Sequence, residues 1–167
     1  EPLLRRHRNS VVHFLFRMVH DPAAAEDLAQ DVFLNVYRAR SSYEPSAHFT
    51  TWLYRIATNR ALNWIRNNRR RGGVFSIEDI VRPPACGSPS PEQELLRREA
   101  RQRIRQAVEA LPERQRVAVL LHKYSELDYS QIAGVLGCSV SAVRSLLNRA
   151  YSAVRVELLA AAEGANA

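Results

Sequence analysis

One glycine, Gly137, set between two runs of helical periodicity, constrains the architecture of this chain more than any other residue. Before it, Asp128 is placed to cap a helix, Gln131 stands three positions on to return the bond, and Ile132, Ala133 and Leu136 share one face. After it, Ser139 caps a second helix in which Val140, Val143, Leu147, Ala150 and Val154 recur at helical spacing. A left-handed glycine stops the first helix and makes the corner. The small Ala133 allows close approach, and Val143 with Leu146 or Leu147 packs back across the turn. The pattern predicts a helix-turn-helix, whose second helix is of the kind that enters a major groove.

The outward face of that second helix reads Ser141, Arg144, Ser145, Asn148, Arg149, Ser152 and Arg155, and no acidic residue occurs from Tyr129 to Val156. The solvated face of an ordinary helical hairpin mixes both signs of charge. This one does not, so it is read as a surface for DNA. Composition agrees: 24 Lys plus Arg stand against 17 Asp plus Glu, a formal charge of +7. Every cation except Lys123 is Arg, the side chain suited to phosphates and base edges. An anionic partner follows, with nucleic acid ahead of a membrane surface. Only Cys86 and Cys138 occur, without CxxC or His-rich spacing, which argues against a disulfide framework or a metal site. No apolar run approaches the ~20 residues of a membrane span and none resembles a signal peptide, so no membrane insertion and a reducing cytoplasm are expected. Glu1 in place of Met implies a natural start further upstream.

From the beginning, Leu4, Val11, Leu15 and Met18 form one stripe of an amphipathic helix over about 2–20. Asp21 caps a second helix opening with Pro22, in which Leu28, Ala29, Val32, Val36 and Ala39 point inward. Its other face gathers Glu26, Asp27, Gln30, Asp31 and Leu34. Acids in the first turns suit the helix dipole, but Gln30, Asp31 and an outward Leu34 exceed what capping needs and suggest a protein-binding face. A loop over 41–48 contains Tyr43. The next helix, about 50–71, buries Leu53, Ile56, Ala57, Ala61, Trp64 and Ile65 and presents Arg55, Asn59, Asn63, Arg66 and Arg70, all Arg or Asn. No acid occurs between Glu44 and Glu78, and Trp52, Tyr54 and Tyr43 set aromatic surface beside the cations. That combination stacks bases and holds a single-stranded backbone.

Residues 72–91 lose periodicity and are punctuated by glycine and proline, the composition of a flexible linker reaching about 65 Å when drawn out. Beyond it, Leu96, Ala100, Ile104, Ala107, Val108 and Leu111 point inward from a fourth helix that Pro112 breaks. Val117, Leu120, Leu121 and Tyr124 form the stripe of a fifth. No segment reads as a strand. The expected architecture is all-α: two small helical domains, 1–71 and 92–164, joined by a linker over 72–91, with a partner rather than the chain fixing their arrangement.

With these motifs placed, the sequence resembles bacterial RNA polymerase sigma factors of the small extracytoplasmic-function (ECF) group. AEDLAQDVFLNVYR (Ala25 to Arg38) resembles the family's region 2.2, FTTWLYRIATNRALNWIRNNRRR (Phe49 to Arg71) regions 2.3 and 2.4, and LPERQRVAVLL with the helix-turn-helix region 4. The resemblance implies a factor without catalytic residues or cofactors that binds core RNA polymerase and directs it to promoter DNA. It implies core docking through Asp27, Gln30, Asp31 and Leu34, and a flipped minus-10 base received by the loop around Tyr43. Melted-strand contacts fall on Arg55, Asn59, Asn63 and Arg66, and minus-35 contacts on Ser141, Arg144, Ser145, Asn148 and Arg149. Ser141-Ala142, Leu146 and Tyr151 depart from the family's common residues, so its minus-35 preference does not transfer. Members are usually held inactive by an anti-sigma factor, often membrane-anchored, and one is expected here. Two other functions fit less of the chain. Asp27 and Asp31, one turn apart, resemble half of a Mg²⁺ nuclease site but have no evident third carboxylate or base. A stand-alone helix-turn-helix regulator would bind duplex tightly without polymerase.

Overall fold

The computed structural model describes residues 2–42, 48–70 and 91–164. They form seven α-helices: α1 (Pro2–Val19), α2 (Pro22–Arg38), α3 (Phe49–Arg70), α4 (Pro91–Glu109), α5 (Glu113–Tyr124), α6 (Tyr129–Leu136) and α7 (Val140–Gly164). One 3₁₀ turn spans Arg40–Ser42, and no strand occurs among the described residues. The linker over 72–91 falls, apart from Pro91 at the start of α4, outside them.

The helix ends follow local chemistry. Asp21 accepts from Ala24 N at 3.0 Å with Pro22 opening α2. Before it His20 takes a left-handed φ of 56°, donating its N–H to Phe16 O at 2.8 Å to end α1. At α6 the reciprocal box is complete: Gln131 N donates to Asp128 Oδ1 at 2.8 Å and Asp128 N to Gln131 Oε1 at 3.0 Å. Gly137 is left-handed, φ 61° and ψ 44°, and Ser139 Oγ accepts from Ala142 N at 3.1 Å to start α7. Each such cap contributes about 1 kcal/mol, enough to set where an eight-residue helix begins and ends.

α1, α2 and α3 pack as a three-helix unit around Val11, Phe14, Leu15, Val32, Leu53 and Ala57, all essentially inaccessible to solvent. Tyr54 belongs to this core. Its ring meets Phe14 edge-on, centroids 5.3 Å apart, so it cannot be the stacking surface that the sequence suggested. α4 to α7 pack around Val117, Leu121, Ile132, Val143 and Leu147. Of the α4 stripe only its C-terminal end is covered: Ala107 and Leu111 are buried and Val108 half-buried, whereas Leu96, Ala100 and Ile104 are exposed. Tyr124 likewise lies outside the core, its ring beneath the Arg17 guanidinium at 4.0 Å.

That last contact crosses between the two halves, and it is one of several. α6 lies on the first turns of α3, where Gln131 Nε2 donates to Thr50 Oγ1 at 3.3 Å. Gly134 keeps this approach close: a Cβ there would lie 2.7 Å from Thr51 Cγ2, so the Thr51 side chain or the helices would have to shift. Further along α3, Arg66 reaches Glu113 at 3.6 Å. Below it a cavity of about 280 Å³ is lined by Met18, His20, Ile65, Arg69, Glu109 and Arg116, with Arg116 almost wholly buried. His20 Nε2 approaches Glu109 Oε1 to 3.3 Å, but without hydrogen-bond geometry. Burial, followed by the Arg116 and Arg105 guanidiniums, lowers His20 to about 4, and burial pushes Glu109 up. The sequence reading left the arrangement of the halves to a partner. Here the chain itself sets it, because the buried apolar side chains of both halves form one continuous cluster.

Candidate nucleic-acid interfaces

Helical geometry alone separates the two faces of α3. Leu53, Ala57, Ala61 and Ile65 turn inward, which leaves Arg55, Asn59, Asn63 and Arg66 exposed along the opposite side. Three of the four keep open surface, whereas Arg66 is shared with Glu113 of α5 across the junction. Trp52 is half-buried with its ring near Phe49, centroids 6.1 Å apart, so one part of it packs and another faces outward. Tyr43 lies outside the described residues, as does the side chain of Arg70.

Between α2 and α3 opens a cleft of about 490 Å³. Asn59, Asn63, Trp52 and Ile56 line it from α3, and Asn35 and Arg38 from the last turns of α2. The sequence reading passed over the α2 residues, because each taken singly looks like ordinary helix surface. Asn35 also bonds back along its helix, donating Nδ2 to Asp31 O at 2.7 Å.

The α2 residues read as a protein-binding face lie together at the surface. Asp27, Gln30, Asp31 and Leu34 are all exposed, Leu34 by half its surface. Tyr37 extends the patch at 61% exposure, capped by the Arg40 guanidinium 4.2 Å above its ring. Glu26 is drawn aside, ion-paired with Arg8 at 2.6 Å. It serves the α1–α2 packing.

On α7, burying Val143, Leu147 and Ala150 turns Ser141, Arg144, Ser145, Asn148 and Arg149 outward together. None of the five is withdrawn into the packing between halves. Tyr151, one of the departures from the family's common residues, places its hydroxyl 3.0 Å from His122 Nδ1 and joins α7 to α5 at the base of this face. Desolvation pushes that hydroxyl's pKa up, with Tyr129 and Tyr124 adding to it.

Residues 3–71 match the family described as sigma-70 region 2, and residues 101–154 the family described as sigma-70 region 4. The chain is 38% identical over 159 residues to the RNA polymerase sigma factor CarQ of Myxococcus xanthus, covering 95% of this chain and 88% of that protein. It is 33% identical to the RNA polymerase sigma-H factor of Pseudomonas aeruginosa and 33% identical to the ECF RNA polymerase sigma-E factor of Escherichia coli, covering 91% of this chain and 82% of the relative in each case. In fold it is similar to the sigma factor RpoE of Bartonella quintana, solved in complex with the anti-sigma factor NepR, with a TM-score of 0.73 at 24% identity over 94% of both chains. CnrH, solved with the cytosolic domain of CnrY, aligns with a TM-score of 0.69 at 21% identity over 95% of this chain and 86% of that one.

Proposed function

The chain belongs to the sigma-70 family of RNA polymerase sigma factors, in its extracytoplasmic-function group, and from that premise we propose that it docks on core polymerase through α2 and reads promoters with α3 and α7. In this reading residues 1–71 form the core- and minus-10-binding domain and residues 92–164 the minus-35-binding domain. Asp27, Gln30, Asp31 and Leu34 meet polymerase. Arg55, Asn59, Asn63 and Arg66, with Tyr43 in the loop before them, hold the melted minus-10 strand. Ser141, Arg144, Ser145, Asn148 and Arg149 enter the minus-35 major groove, and the work is done in the cytoplasm.

The observation that carries this reading is the pair of Arg- and Asn- or Ser-bearing faces on α3 and α7, both solvent-facing and neither carrying an acidic residue of its own helix. A stand-alone regulator needs only the second. The likeness to RpoE, solved in complex with the anti-sigma factor NepR, supports control of this chain by an anti-sigma factor as well.

Geometry adds a requirement. Minus-35 and minus-10 elements, about 25 base pairs apart, are separated by about 85 Å of duplex at 3.4 Å per pair. α3 packs on α6 and α6 on α7, and two such steps at 8–10 Å place the axes of the two DNA-reading helices within about 20 Å. The packed form therefore cannot span a promoter, and polymerase must part the halves.

Reconstitution tests the whole reading. Mixed with core polymerase, the chain directs run-off transcription from a defined promoter class, and Asp31→Ala weakens core binding with little change in fold. Failure to bind core, with tight duplex binding by the chain alone, would establish the stand-alone regulator instead.

A further inference from the structure

The polar cavity at the junction of the halves gathers groups that the packing leaves unmatched. Arg116 is only 8% exposed, yet its Nε has no hydrogen-bond partner among the described residues, and the same holds for His20 Nε2 and Glu109 Oε1 beside it. We propose that the cavity binds one inorganic hydrogen phosphate ion, held by Arg69, Arg116, His20 and Glu109, and that the ion fastens the two halves together. The site stands on its own chemistry. Its consequence for transcription rests on the sigma-factor reading, in which polymerase parts the halves.

Charge asks for an anion. Arg66, Arg69, Arg105 and Arg116 meet at this junction with only two carboxylates, Glu109 and Glu113, so with His20 neutral two positive charges are left over. Water cannot neutralise them, and the cavity of about 280 Å³ is far larger than one water requires. A tetrahedral oxyanion offers acceptors in several directions at once, which suits guanidinium and imidazole N–H donors arriving from different helices. Glu109 then selects among oxyanions. Its buried Oε1 is an acceptor, and sulfate or a doubly ionised phosphate monoester brings it no proton. Hydrogen phosphate keeps one P–OH, which donates to that oxygen. Chloride would offset charge but leave Glu109 without a donor. His20 and Arg69 belong to the first half of the chain and Glu109 and Arg116 to the second, so the full set of partners exists only while the halves are packed. An ion that binds only this form stabilises it by mass action, and thereby opposes a polymerase that needs the open one.

The test titrates the full chain with sodium phosphate by calorimetry, at constant ionic strength in chloride, beside sulfate and methyl phosphate. One phosphate binds per chain, about tenfold more tightly than either of the other two, the scale of one charge-assisted hydrogen bond. Glu109→Gln, whose amide donates as well as accepts, removes that preference. Arg69→Ala weakens phosphate about tenfold, and because Arg69 is exposed its variant separates loss of contact from loss of fold. Phosphate at about ten times its wild-type dissociation constant weakens core-polymerase binding about tenfold in the wild type and about twofold in Arg69→Ala. No saturable binding, or equal binding of all three anions, overturns the site. Phosphate binding with core affinity unmoved overturns its part in fastening the halves. Failure to bind core in phosphate-free buffer is a separate result, which sinks the sigma-factor reading and leaves the phosphate site standing.

Discussion

On the proposed reading, base readout at α7 depends most on Arg144, which is exposed just beyond the turn whose backbone the Ser139 cap holds. Replacing it with Ala removes a contact without disturbing the buried Val143 beside it. The expected loss is about 1–3 kcal/mol of discrimination at one base pair, seen as a flattened preference in a minus-35 promoter library, with core binding retained. His20 gives a prediction of the opposite kind, about pH. Packing lowers it to about 4 from 6.5, so the closed form requires it neutral. Its contribution is fully present above about pH 6.5 and is lost as pH falls toward 4. Glu109, shifted upward, works in the other direction, but only near and above its own lower titration range. Thermal midpoints should fall between pH 7 and pH 5 in the wild type and fall less in His20→Asn, a substitution that keeps a residue tolerant of the left-handed backbone. Equal slopes for both proteins would remove His20 as the cause.

At the scale of the element, the boundaries were legible because caps are local chemistry. Asp21-Pro22, Asp128 with Gln131, Gly137 and Ser139 each announce a helix end within a few residues of sequence, and each behaves as its chemistry demands. What could not be read was how much of an apolar stripe finds a partner. Leu96 and Ile104 sit at proper spacing on α4 but stay exposed, and Tyr54 is buried although its neighbours Arg55 and Trp52 suggested a surface. Periodicity names a face and does not say what lies against it. The Asp128 cap should be separable from the DNA face: Asp128→Ala costs about 1 kcal/mol, measured as a lower denaturation midpoint. Minus-35 affinity should fall only as far as α6 itself is lost. Gly134 yields a sharper result. Gly134→Leu puts a good helix former in place of a poor one in α6, yet collides with Thr51, so it should part α6 from α3 while leaving α6 and α7 folded. Hydrogen exchange in the first turns of α3 would rise, and unchanged protection there would count against the observed packing.

For the whole molecule, the composition, the two helical halves and the two basic faces were all present in the sequence. Their mutual packing was not. It depends on Gly134 against Thr51, Gln131 serving Asp128 and Thr50 at once, Arg66 with Glu113, and Arg17 over Tyr124, pairs far apart in the chain with no repeating pattern to betray them. The reconstructed consequence is mechanical. With Cys86 and Cys138 replaced by Ser, paired cysteines at positions 51 and 134 should lock the halves when oxidised, within the short approach seen there. Open-complex formation should then be lost and return on reduction. Full activity of the oxidised protein would show that the halves need not separate.

The Gly134 notch also bears on rivalry. A cell's sigma factors share a limited supply of core enzyme, and a factor that is competent only when open binds with its intrinsic affinity multiplied by its open fraction. If about one molecule in a hundred is open, the effective dissociation constant is about a hundredfold weaker than the docking face alone would give. On the proposed reading, a contact outside the assigned docking and promoter-reading residues thus sets this factor's rank among its competitors. One methyl group at position 134 would raise that rank without adding a single contact to the enzyme it captures.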